Sequence, residues 1–101
     1  MKTKLLTLLF LLLCIKAFSN EKHTISGYIT DNETGEELIG VNISVESSTL
    51  VTTSNSYGFY SLTLNEDAYV LNFSFLGYSD CEIKLNLTND TLVNIKLMEM
   101  V

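Results

Sequence analysis

Cysteine is scarce in this 101-residue chain, which contains only Cys14 and Cys81. Cys14 sits in an apolar N-terminal segment, so the rest of the chain carries a single thiol. It can form no internal disulfide and offers no thiolate pair for zinc. Histidine is scarcer still, with His23 alone at the edge of the first expected strand. No nucleophile with a spaced base accompanies it, so the inventory for a catalytic site is missing and a non-enzyme is expected. His23 is expected to be an exposed terminal residue. Proline is absent, and beyond that N-terminal segment there is no low-complexity stretch and no helical periodicity. Positive charge is short as well, at six basic against twelve acidic side chains.

The charge deficit deepens once the N-terminus is considered. Lys2 and Lys4 precede an apolar run of 11 residues, Leu5 to Ile15, and Ala17 and Ser19 then supply small residues at the positions a signal peptidase reads. The run is too short to span a bilayer core of about 30 Å as a helix. A lipoprotein signal would need a small residue where Leu13 precedes Cys14. Residues 1–19 therefore read as a cleaved signal peptide, and residues 20–101 as one exported domain. Cleavage leaves three lysines against all twelve acidic groups, a balance of −9. Such a surface repels phosphate backbones and anionic lipid, which excludes nucleic acid and direct membrane adsorption as expected partners.

What is present in residues 20–101 is strand periodicity, renewed about every ten residues. Ile25, Gly27 and Ile29 share one face of a first strand. Val41, Ile43 and Val45 alternate with polar residues in a second, and Leu50 to Thr53 form a short third. Tyr60, Leu62 and Leu64 mark the fourth; Tyr69, Leu71, Phe73 and Phe75 the fifth; Cys81, Ile83, Leu85 and Leu87 the sixth; Val93, Ile95 and Leu97 the seventh. The breaks carry turn chemistry in Asp31 to Gly35, Asn55 to Gly58, Asn65 to Asp67 and Thr88 to Asp90. Seven short strands with one apolar face each are expected to close as two antiparallel sheets packed face to face, with a small barrel as the alternative. Leu71 and Phe73 belong to the expected core. Each buried aromatic contributes about 1.5–3 kcal/mol.

Two further patterns invite functional readings. Asp31, Asn32, Glu33, Glu36 and Glu37 crowd one loop and offer oxygen ligands suited to calcium, but at no calcium-loop spacing, so a solvated turn is expected. Asn-x-Ser/Thr sequons begin at Asn32, Asn42, Asn72, Asn86 and Asn89; an Asn- and Ser/Thr-rich composition produces them by chance, and Asn42 and Asn72 fall inside expected strands.

Four stretches in order carry a resemblance: Ile25-Ser26-Gly27-Tyr28-Ile29-Thr30-Asp31; Thr34-Gly35-Glu36-Glu37-Leu38-Ile39-Gly40-Val41; Thr53-Ser54-Asn55-Ser56-Tyr57-Gly58-Phe59-Tyr60; and Phe73-Ser74-Phe75-Leu76-Gly77-Tyr78. From about Thr24 to Met98 the chain resembles the carboxypeptidase regulatory-like domain, a transthyretin-like β-sandwich, in the version found at the N-terminus of TonB-dependent outer-membrane receptors. The resemblance implies fold-specifying glycines: Gly27 at a crowded strand position, Gly35 and Gly40 at turns around Leu38, Gly58 closing the turn from Asn55, and Gly77 at a corner. It also implies a non-catalytic interaction module at the periplasmic face of the outer membrane, with no cofactor and no metal. Its expected partner is a protein, either a receptor plug and barrel or a periplasmic component, and membrane association comes only through that receptor. No plug, barrel or TonB-box segment occurs in these 101 residues, so a receptor fragment is expected. A free-standing exported module for a carbohydrate or surface partner is the alternative. In either case the unpaired edges of the sandwich are the expected binding feature.

Overall fold

The structure is a computed structural model that describes residues 21–101; the expected signal peptide lies outside the described residues. Eight strands and no helix make up this part. They are β1 (Lys22–Asp31), β2 (Asn42–Val45), β3 (Val51–Thr53), β4 (Phe59–Asn65), β5 (Asp67–Ser74), β6 (Cys81–Leu87), β7 (Thr91–Leu92) and β8 (Ile95–Leu97). One sheet runs β4-β1-β7 with β8 also on β1, and the other runs β3-β2-β5-β6.

The two sheets bury the apolar faces that the period-two pattern defines. Ile25 and Ile29 from β1, Tyr60, Leu62 and Leu64 from β4, and Ile95 and Leu97 from β8 line one side of the core. Ile43 and Val45 from β2, Leu71 and Phe73 from β5, and Leu87 from β6 line the other. Tyr60 and Phe73 meet across the interior edge to face, with centroids 5.3 Å apart and planes at 79°.

The expected seventh strand is β8, shortened to Ile95–Leu97, and an additional short strand, β7, precedes it; both run parallel to β1 rather than antiparallel. Ile25 pairs with Thr91 and Ile29 with Ile95, so the register is continuous while Val93–Asn94 departs from the ladder. The cause lies at Gly27. A Cβ there would stand 2.0 Å from the Val93 carbonyl oxygen, so only glycine lets that carbonyl enter the sheet. The oxygen then accepts from the Tyr60 hydroxyl at 2.7 Å, and burial pushes the Tyr60 phenol up to about 12. Around the break, Val93 N–H still donates to the Ser26 carbonyl at 2.8 Å, and Asn94 Oδ1 replaces a backbone acceptor for Tyr28 N–H at 2.9 Å.

Two loops are fixed by side chains that bond to backbone. Ser54 is buried in the loop after β3, where its hydroxyl donates to the Leu38 carbonyl at 2.7 Å and accepts from Val41 N–H at 2.9 Å. Gly58 ends the next turn at φ +74°, its missing Cβ only 2.8 Å from the Ile29 carbonyl oxygen, so conformation and space both demand glycine.

Candidate interaction surface

Strand order leaves β4 and β6 as seven-residue outer edges of their sheets. The short strand β3 lies against β4 from the opposite sheet, whereas β6 pairs only with β5. β6 is thus the long edge whose outward N–H and C=O groups have no strand beside them, the feature that accepts an added strand. Glu82 and Lys84 are exposed on it, on the face turned away from the core.

A second feature lies where the chain leaves β5. A groove of about 420 Å³ is lined by Gly40, Asn42, Phe75, Leu76, Tyr78 and Met100, among others. Leu76 is 96% exposed and Met100 59%, an apolar outcrop on an otherwise acidic domain. Residues 98–100 rest along the Gly77 corner, with Ser79 N–H donating to the Met98 carbonyl and Met100 N–H to the Gly77 carbonyl, each at 2.8 Å. Gly77 reverses the chain there at φ +87°, and Gly35 and Gly40 do so in the loop after β1 at +73° and +81°.

The acidic loop after β1 is organised by its own chain. Asp31 is buried, and its Oδ1 accepts from Glu33 N–H at 2.8 Å and Thr34 N–H at 3.0 Å, while Oδ2 accepts from the Tyr78 hydroxyl at 2.6 Å. The Tyr78 bond, followed by the two backbone bonds, holds the Asp31 carboxyl below its ordinary range, and the same bond raises the Tyr78 phenol to about 12. Asp31 therefore serves as an Asx-turn and an anchor for the Phe75–Tyr78 corner, with both oxygens occupied. Of the sequon residues, Asn42, Asn72 and Asn86 lie in strands, and Asn32 and Asn89 in turns.

His23 differs from expectation. Its side chain is only 12% exposed, and Nε2 is buried without a hydrogen-bond partner. The reason is periodic: Ile29, Gly27 and Ile25 face the core, so His23 and Glu21 continue that inward face past its end. Glu66 continues the inward face of β4 past Leu62 and Leu64 in the same way. One carboxylate oxygen from Glu21 and one from Glu66 each lie 4.0 Å from His23 Nε2. Extending both alternations outward would have revealed this cluster in the sequence, and Glu66 sits at the centre of the turn expected at Asn65 to Asp67.

Among the described residues the sandwich thus presents a free edge strand and an apolar groove. Comparison with known proteins narrows the class. The profile of the CarboxypepD_reg-like domain matches residues 25–101, and the chain belongs to this family. It is 35% identical over 86 residues to TonB-dependent receptor P3 of Formosa agariphila, a match that covers 84% of this chain and 9% of that receptor. The chain thus spans about a tenth of the length of the curated relative it matches. Among solved structures, a chain of a type II cohesin–X–dockerin complex from Acetivibrio cellulolyticus superposes with a TM-score of 0.67 at 18% identity, covering 76% of this chain and 58% of that one. The C-terminal domain of shaft pilin SpaA from Lactobacillus rhamnosus GG superposes with a TM-score of 0.64 at 15% identity, covering 79% and 99%. At these identities the structural likeness concerns the fold.

Proposed function

We propose that this chain is a non-catalytic interaction module of a TonB-dependent outer-membrane receptor, exported by residues 1–19 and held at the periplasmic face by residues 20–101. The observation that carries the reading is the 35% identity to a TonB-dependent receptor over most of the chain. The acidic surface steers a basic partner toward the module. Main-chain pairing along β6 supplies affinity without conspicuous side chains, and Leu76 and Met100 supply an apolar anchor at the neighbouring corner. Plug, barrel or a periplasmic protein is the partner class, and the receptor provides the only attachment to the membrane.

Site-specific photocrosslinking tests this. A crosslinking residue placed at Lys84 on β6 or at Leu76 in the groove should yield a discrete protein adduct in intact cells, weakened by salt in extracts because of the charge steering. Placed at Ser61 on β4 it should yield none. Equal adducts from all three positions, or none from any, would contradict a directed protein interface.

A further inference from the structure

The cluster at the far end of β1 has the composition of a metal site. His23 lies at the start of β1, Glu21 stands two residues before it and just ahead of the strand, and Glu66 occupies the single residue joining β4 to β5. That corner carries the chain from one sheet to the other, and Glu66 N–H donates to the Glu21 carbonyl at 2.8 Å, locking the two segments together. One ligand atom from each side chain lies within 4.8 Å of the others. The imidazole is held against the end of the core with Nε2 buried and unbonded, aimed between two carboxylates. A buried nitrogen with no partner is costly, and here both neighbours offer only acceptor oxygens when ionised. With the proton on Nδ1, Nε2 is a third lone-pair donor facing the same space. A divalent cation would satisfy all three.

We propose that Glu21, His23 and Glu66 bind one borderline divalent cation, with Zn²⁺ the best match to a mixed imidazole and carboxylate donor set. Donors around tetrahedral zinc stand about 3.4 Å apart, given metal–donor bonds of about 2.0–2.2 Å. The observed 4.0 Å separations close to that value by small rotations of the glutamates, which are 80% and 45% exposed and free to move. Three protein ligands leave a fourth position for water or a partner's side chain. The ion would tie the start of β1 to the inter-sheet corner, so its effect is structural.

The test is titration of Zn²⁺ alone into the purified, chelator-treated protein by isothermal titration calorimetry near pH 7. One equivalent should bind, the melting temperature should rise, and the His23 ring protons should shift in the NMR spectrum. His23→Ala and Glu66→Gln should each weaken binding by more than about tenfold. Glu66→Gln preserves shape at a half-exposed corner, so it decides the matter if His23→Ala folds poorly. Mg²⁺, which prefers an all-oxygen octahedron, should leave the His23 resonances in place. Absence of Zn²⁺ binding at millimolar concentration, or binding indifferent to Glu66→Gln and silent at the His23 ring, overturns the proposal.

Discussion

Phe73→Ala examines the register of the whole sandwich. Phe73 lies on β5, an interior strand paired with both β2 and β6, and is 0% exposed. It faces Ile43 across one ladder and Cys81 across the other, and its ring meets Tyr60 edge to face. Truncation removes a fully buried ring and leaves a cavity that two paired neighbouring strands cannot collapse into, at a cost of about 3–5 kcal/mol. Its neighbour Asn72 points to the opposite face and is partly exposed, so Asn72→Ala should cost under about 1 kcal/mol. For a domain of this size each kcal/mol moves the melting temperature by about 4–8 °C. Urea unfolding followed by far-UV circular dichroism measures both variants against the parent. Equal losses, or a loss below about 1 kcal/mol for Phe73→Ala, would refute the assignment of the β5 inner face.

Gly27→Ala drives a methyl onto the Val93 carbonyl and should cost about 3 kcal/mol, read from the same urea curves, with the β7–β8 break disturbed first in hydrogen exchange. Tyr60→Phe leaves that buried carbonyl without its hydroxyl donor and should cost about 1–3 kcal/mol. The Asp31–Tyr78 pair sets a limb of the pH profile on each side. The folded-state pKa of Asp31 is lowered, so its contribution is present above the ordinary value of 3.8 and lost as the pH falls through the folded value. Tyr78 is raised from 10.0 to about 12, so its contribution is present below 10.0 and lost as the pH climbs toward 12. Thermal melts of Tyr78→Phe across pH should show both limbs reduced, and unchanged limbs would count against the pair. Mass spectrometry of the exported protein should find Asn20 as the first residue, and retention of Met1 would contradict the signal-peptide reading.

The core was legible because alternation survives in every strand that packs on it: Ile25 and Ile29, Ile43 and Val45, Leu62 and Leu64, and Leu71 and Phe73 are all inside. The break at Val93–Asn94 was not, since Val93 fits the alternation and only the vacancy at Gly27, sixty-six positions earlier, draws its carbonyl out of the ladder. The parallel pairing of β7 and β8 with β1 is a property of topology that strand periodicity does not encode. A free strand edge follows from any two-sheet sandwich that is not closed into a barrel. That β6 is the long edge with no strand beside it depends on β3 lying against β4, which strand periodicity does not encode. The acidic loop was read as a solvated turn; its Asp31 is a buried anchor because Tyr78 comes from a corner 47 residues away. His23 is sheltered because the inward face of β1 continues past Ile25 to the start of the strand.

Deletion of the segment matching residues 24–98 from a TonB-dependent receptor that carries it, with plug and barrel intact, tests the central claim that this module acts through protein contact. The account predicts a receptor that still assembles in the outer membrane but loses partner binding and a measurable share of uptake. Unchanged uptake and unchanged partner binding in a normally assembled receptor would contradict it.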